Sequence, residues 1–112
     1  MNIILATRLR VPGLHHWPDA THPVCYLDSV HRHLFHIEAC RQVKDADREI
    51  EFIVFQQEVR TWLDISFPRR PCGSYDFGTR SCEQLAILMI QELKLQQCSV
   101  FEDGENGATV FA

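Results

Sequence analysis

The sequence has no long apolar run, no closely spaced cysteine pair and no extended basic cluster. No apolar segment approaches the ~18 residues that a membrane-spanning helix needs, so we expect no membrane span. The net charge is -4 with neutral histidines, and Arg69-Arg70 is the only pair of adjacent basic residues. Binding to nucleic acid is therefore not expected, and small molecules or proteins are the expected partners.

The cysteines do not form a disulfide framework by their number or spacing. They are odd in number, five in all, and none lies in a CxxC motif. The positions are Cys25, Cys40, Cys72, Cys82 and Cys98. The start of the sequence also lacks a basic region followed by the apolar core of a secretory signal. Reduced thiols and the missing signal together predict a cytoplasmic protein.

The length and composition predict one globular domain spanning residues 1–112. Hydrophobic residues make up 46% of the chain and charged residues 23%, which is an ordinary balance for a folded domain. A chain of 112 residues can bury a modest core but has little spare length for a second one. No linker, internal repeat or low-complexity segment divides it.

Two histidines lie on one face of a predicted strand over His31–Val43. In this segment His31, His33, Phe35 and Ile37 alternate with Arg32, Leu34, His36 and Glu38, so the two imidazoles share a face with an apolar stripe. Their Cα atoms would lie roughly 6.5 to 7 Å apart. Both side chains can therefore reach one metal ion, although ordinary hydrogen-bonded or surface histidines show the same spacing.

Zinc bound by three histidines and one open position is a common catalytic arrangement, so a third histidine is of interest. The chain offers His15, His16, His22 and His36. A first strand is predicted over residues 2–11, ended or bent at Pro12-Gly13. If it continues beyond a bend, His15 points inward and His16 outward. Alternation places His36 on the face opposite the histidine pair.

The remaining periodicities predict two helices and a terminal pair of strands. A helix over residues 50–64 would bury Phe52, Phe55, Val59 and Trp62. A second helix runs to about residue 95 from an N-cap at Ser81, with a capping-box partner three residues later. Short strands are predicted over residues 99–102 and 108–111, around a turn-forming segment. Residues 17–29 and 65–78 are predicted loops.

Several of these features together resemble the 6-pyruvoyl-tetrahydropterin synthase and 6-carboxy-tetrahydropterin synthase family. The segments Val11-Pro12-Gly13-Leu14-His15 and His31-Arg32-His33-Leu34-Phe35 are similar to its zinc-binding motifs. Ser81-Cys82-Glu83-Gln84-Leu85-Ala86 is similar to its Thr-Ser-Glu-x-Leu-Ala segment. The resemblance covers nearly the whole chain.

The resemblance implies the family's tunnelling fold, or T-fold. This is an α+β fold of order ββααββ, with an antiparallel sheet and two helices on one face. A single copy of such a sheet cannot close into a barrel, so family members assemble several copies around an axis. The resemblance therefore implies a homo-oligomer, a hexamer made of two trimers.

The resemblance also implies roles for individual residues. The zinc ligands would be His15, His31 and His33, with His16 as the substitute for His15 if the alignment shifts by one residue. Glu102 would accept hydrogen bonds from the amino and ring N–H groups of a pterin, a strong planar contact. Ser81 and Cys82 would also contact the substrate.

The catalytic residues implied by the resemblance are Cys25 and Asp64. Cys25 stands six residues before His31, without the flanking pattern of the family's cysteine. Asp64 lies in Leu63-Asp64-Ile65-Ser66, where the family has a histidine directly after the aspartate. His22 is the better substitute for that missing histidine, because His36 lies on the wrong face.

Three functional hypotheses follow. The first is a zinc-dependent lyase that acts on dihydroneopterin triphosphate or a related pterin, in pterin or 7-deazaguanine (queuosine) biosynthesis. The second is a protein on the same scaffold that binds a pterin or purine-like ligand without turnover, favoured by the missing histidine. The third is a metal-free interaction module in which the histidines only stabilise the fold.

Overall fold

The chain forms one sheet with two helices against it, in a computed structural model that describes all residues from Met1 to Ala112. The strands are β1 (Ile3–His15), β2 (His31–Val43), β3 (Tyr75–Asp76), β4 (Gln97–Glu102) and β5 (Asn106–Phe111). The helices are α1 (Phe52–Ser66) and α2 (Cys82–Leu93), and a 3-10 helix (Cys25–Asp28) lies between β1 and β2. The predicted α+β class is thus confirmed.

The sheet is mixed: the four strands predicted from the sequence are antiparallel as expected, and a short strand that was not predicted, β3, adds one parallel pair. Its strand order is β3-β1-β2-β4-β5, and all neighbours are antiparallel except β3, which runs parallel to β1. The additional strand lies within residues 65–78, which were predicted to be a loop. Two residues are too few to produce an alternating pattern, so the sequence gives no signal for β3.

β1 does not end at Pro12-Gly13 but runs on to His15. It pairs with β2 along its whole length, from Ile3 opposite Val43 to His15 opposite His31. Proline lacks the N–H that a central strand position needs. The second neighbour, β3, pairs with β1 only from Gly13 onward, so Pro12 interrupts no pairing on that edge.

Both helices pack on the same face of the sheet, as predicted. The strands bury alternate residues there, and β1, β2 and β4 place Leu9, Ile37 and Val100 side by side across the sheet. The buried helix residues are Phe55, Val59 and Leu63 of α1 with Cys82, Leu85, Ala86, Met89 and Leu93 of α2. The opposite face of the sheet carries no covering element.

Helix α1 begins two residues later than predicted, and it buries Phe55 and Val59 as predicted but not Phe52. Glu51 is its N-cap, and the Glu51 side chain accepts a hydrogen bond from the Val54 N–H at 2.8 Å. Phe52, predicted to be buried, is 62% exposed, whereas Leu63 is completely buried. The buried positions are thus four residues apart. The predicted stripe was wrong at Phe52, whereas Trp62 is partly buried against the core.

Helix α2 begins as predicted, and the loop before it contributes unexpectedly to the core. Ser81 and Gln84 form a reciprocal capping box. The helix ends before Lys94, which adopts a left-handed conformation. In the preceding segment Phe67, Tyr75 and Phe77 are buried, although its prolines and glycines indicate only a loop.

The final hairpin, β4 and β5, starts two residues earlier in each strand than predicted and turns at residues 103–105. All five cysteines are free thiols. The structure contains no helix with the length and apolar character required to cross a membrane.

We predict that Leu63→Ala lowers the free energy of unfolding by about 2–5 kcal/mol, because it leaves a cavity among core residues. Ile65→Ala is the matched control on the same helix, since Ile65 is 80% exposed. Urea denaturation of both variants measures the difference. Equal losses in the two variants would contradict the placement of the buried face of α1.

Candidate metal centre

The end of β1 and the start of β2 bring three histidines together. His15 lies directly opposite His31, and Gly13 lies opposite His33. The centroids of the three imidazole rings are 4.7, 5.0 and 5.4 Å apart. Because alternate residues share a face, all three rings project on the side of the sheet that the helices cover.

Two phenylalanines form the floor beneath these rings. Phe35 contacts the edges of His15 and His33, with centroid distances of 5.2 and 5.7 Å, and Phe77 packs against Phe35 at 5.0 Å. A Cβ added at Gly13 would lie 2.4 Å from Phe77 and 2.7 Å from Phe35. A glycine at position 13 is therefore required for the floor to approach the strand.

Each imidazole is oriented by a contact at its Nδ1 atom. Nδ1 of His15 lies 2.9 Å from the Arg80 carbonyl oxygen, and Nδ1 of His31 lies 2.8 Å from the Ser29 carbonyl oxygen. A carbonyl can only accept, so these nitrogens carry the proton. In a neutral imidazole Nε2 then presents a lone pair, which is the state that binds a metal.

Glu102, at the end of β4, completes the cluster. One oxygen of its carboxylate, Oε2, lies 2.8 Å from Nε2 of His15 and 3.5 Å from Nε2 of His33. When Nδ1 of His15 holds the proton of a neutral ring, Nε2 and the carboxylate are both acceptors. Such a close approach requires a cation between them or on the ring, either a proton or a metal ion.

The donor set fits a transition metal. One ligand atom from each of four side chains lies within 4.8 Å of all the others. The four residues are His15, His31, His33 and Glu102. In a tetrahedral site with bonds of about 2.0–2.2 Å, ligand atoms are roughly 3.3–3.6 Å apart, so a small contraction would suffice. Imidazole-rich sets suit zinc, copper, iron and nickel.

Burial shifts the pKa of His15 and of Cys82. The pKa of His15 is lowered, chiefly because burial disfavours the charged ring, while the Arg80 carbonyl and Glu102 oppose that effect. Burial also raises the pKa of Cys82 to about 12, with smaller contributions from Glu102 and Glu83. Cys82 is therefore a protonated thiol at neutral pH and not a nucleophile.

A pocket of about 700 Å³ opens beside the cluster. His15, His31 and Glu102 line it together with Ser81 and Cys82, the residues that begin α2. Trp17 and Arg80 also line the pocket, and sequence reasoning assigned neither of them a role. The metal-binding and substrate-binding residues predicted from the resemblance thus border one cavity, apart from His33, which does not line it but lies 3.5 Å from Glu102.

The other histidines lie outside the cluster. His16 lines the same pocket, but its ring is not among the four ligand groups. His36 lies on the uncovered face of the sheet, as the alternation predicts, and lines a separate concavity there. His22 is exposed in the segment before the 3-10 helix. The structure therefore groups His15, and not His16, with the pair on β2.

The two predicted catalytic residues do not join the cluster within one chain. Asp64 is held at the end of α1, where it accepts hydrogen bonds from Tyr75 and Arg69. These contacts, that of Tyr75 first, lower the pKa of Asp64. Cys25 is exposed at the start of the 3-10 helix, and it does not line the pocket beside the histidines.

Asp103 is a residue of the site that the sequence did not suggest. Its Oδ2 lies 2.7 Å from Nδ1 of His33, so the third histidine is oriented by a carboxylate. In the sequence, Asp103 is followed by Gly104 and Glu105. Aspartate and glycine are common in turns, so the sequence indicates a turn there and no metal-site role for Asp103.

A scan against protein-family models and a search of curated proteins give no match to this chain. The fold and the site by themselves define an α+β protein with a candidate metal centre of three histidines and one glutamate.

We predict that Gly13→Ala lowers the free energy of unfolding by about 1–3 kcal/mol, because the added methyl group would collide with Phe35 and Phe77. The displaced rings would also disturb the imidazoles above them. Thermal unfolding and the dispersion of the histidine ring signals in NMR spectra measure the two effects. An unchanged melting temperature would contradict the close packing described at this position.

Proposed function

We propose that this protein is a zinc-dependent carbon-oxygen lyase of the tetrahydropterin synthase type, acting on dihydroneopterin triphosphate or a related pterin. The observation that carries the proposal is the cluster of His15, His31, His33 and Glu102, which borders one pocket through every member except His33. These are the residues for which the sequence resemblance implies zinc and pterin binding.

The three imidazoles would hold the zinc ion through their Nε2 atoms. Their Nδ1 contacts fix the ring orientations before any metal binds, and Phe35 and Phe77 exclude water from below. Zinc held by three histidines can polarise an oxygen atom of the substrate side chain at its remaining position. Glu102 adds a negative charge that favours a divalent cation at this point.

Glu102 would also accept hydrogen bonds from the pterin ring. Its carboxylate is partly exposed to the pocket, 28% by side-chain area, and no arginine or lysine forms an ion pair with it. An ionised acceptor facing two parallel N–H donors gives a strong and directional contact. Ser81 and Cys82 border the same space and would contact the ligand from the start of α2.

A second candidate function is ligand binding without turnover, and the positions of Asp64 and Cys25 favour it. A lyase of this type needs a base that moves protons along the substrate side chain. Asp64 is engaged by Tyr75 and Arg69, and no histidine follows it in the sequence. Catalysis would therefore require another base, from a second copy of the chain or from rearrangement of Cys25.

We further propose that the protein assembles into a homo-oligomer, a hexamer of two trimers in a T-fold barrel. The uncovered face of the sheet supports this proposal. It contains a concavity of about 760 Å³ lined by Arg8, Arg10, His36 and Phe101 among others. Sheet edges and uncovered faces are the surfaces that such assembly would bury. A cytoplasmic location is proposed from the free thiols.

We predict that the purified protein contains about one zinc ion per chain and that His33→Ala abolishes this content, because three histidines are needed for tight binding. His36→Ala is the matched control, since His36 lies three residues away on the opposite face of β2. Inductively coupled plasma mass spectrometry measures the zinc after reconstitution. Absence of zinc from the wild type would support the metal-free interaction module instead. Equal loss from both variants would contradict the assignment of His33 as a ligand.

A second prediction concerns the ligand. Glu102→Gln should weaken pterin binding by about 10–100-fold, because a charge-assisted hydrogen bond contributes about 1.5–3 kcal/mol. Isothermal titration with a pterin measures the affinity, and zinc analysis of the variant controls for loss of metal. Release of triphosphate from dihydroneopterin triphosphate by the wild type indicates a lyase. Pterin binding without release indicates the second function, and no binding contradicts both.

A further inference from the structure

His33 differs from the other two histidines in the group that orients it. The Nδ1 atoms of His15 and His31 meet backbone carbonyl oxygens, whereas Nδ1 of His33 meets the carboxylate of Asp103 at 2.7 Å. A carboxylate is a stronger acceptor than a carbonyl because it is charged. His33 is thus the one candidate ligand of the three whose ring contacts a charged acceptor at Nδ1.

Asp103 is itself held firmly in place. Its Oδ1 accepts a hydrogen bond from the Leu34 N–H at 2.9 Å, and its own N–H donates to the Leu34 carbonyl oxygen at 2.8 Å. These contacts attach the turn after β4 to β2 at the residue next to His33. The conformation of the Asp103 side chain is therefore restricted before it contacts His33. Each of its two carboxylate oxygens has a hydrogen-bond partner.

We infer that Asp103 is a positioning residue of the metal centre, which fixes His33 in the tautomer protonated at Nδ1 and strengthens its Nε2 atom as a ligand. The inference rests on the proposed metal site. Asp103 belongs to none of the four ligand groups, so it acts through His33. Carboxylate partners of this kind typically change metal affinity by about 10–100-fold when they are removed.

If Asp103 served only to form the turn, its substitution would have a different effect on zinc binding. Asp103 has a positive φ of 56° at the beginning of the turn, a conformation that aspartate and asparagine tolerate better than most residues. If only turn formation mattered, Asp103→Asn would be harmless. In the wild type, however, His33 Nδ1 and Leu34 N–H meet different oxygens of Asp103. An asparagine that keeps its oxygen on the Leu34 N–H presents an NH2 group to Nδ1 of His33, and this group donates and cannot accept.

The test is the zinc affinity of Asp103→Asn and Asp103→Ala, measured by competition with a chromogenic chelator. We expect both to bind zinc about 10–100-fold more weakly than the wild type, with Asp103→Asn retaining its thermal stability in the metal-free state. Glu105→Ala is the matched control because Glu105 is an exposed acidic residue of the same turn. Wild-type affinity in Asp103→Asn would overturn the inference.

A spectroscopic measurement separates this inference from the proposed function. Long-range ¹H–¹⁵N NMR spectra of the metal-free protein, above the pH range in which imidazoles are charged, report the tautomer of each histidine. We expect the Nδ1–H form at His33 in the wild type and a shift toward the Nε2–H form in Asp103→Asn. His15 and His31 are internal controls and should keep the Nδ1–H form. An unchanged His33 tautomer in Asp103→Asn would refute the role of Asp103 even if the wild type bound zinc. Failure of the wild type to bind zinc would refute the proposed function, and the tautomer of His33 could still be measured because the spectra are of the metal-free protein.

Discussion

The pairing of β1 with β2 is the constraint on which the rest of the structure depends. The two strands pair from the first residue of β1 to the last, and this register alone places His15 opposite His31. A slip by one residue would move one strand's core residues to the uncovered face. Burial of Leu9 and Ile37 opposite each other therefore fixes the histidine site as firmly as it fixes the core.

The predictable parts of the site follow from local periodicity. Alternation along β2 placed His31 and His33 on one face and His36 on the other. The continuation of β1 past Pro12-Gly13 was only conditional, and the choice of His15 as the third ligand came from the family resemblance, with His16 as the substitute. The capping box at Ser81 located the start of α2 because its signal is confined to four residues. The alternation and the capping box each needed only a repeat of two residues or a short motif.

The parts that could not be predicted depend on tertiary contacts. Leu63 and Phe52 both suit an apolar helix face, and only the approach of α1 to the sheet decides which one is buried. Tyr75 and Phe77 lie in a segment whose glycines and prolines predict a loop, although it contains a short strand. Asp103 is the kind of residue that a turn favours, so its presence there does not indicate the contact with His33, which lies 70 residues away in the sequence.

The donor groups of the candidate site lie on three neighbouring strands. His15 belongs to β1, His31 and His33 to β2, and Glu102 to β4, which are consecutive in the sheet. An ion held by the three histidines, with the Glu102 carboxylate beside it, would act as a cross-link at one end of the sheet. Because such an ion binds the folded chain in preference to the unfolded one, its binding energy would add to the stability of the fold. A chelator would then act on this protein as a mild denaturant, loosening first the sheet end at which the pocket opens.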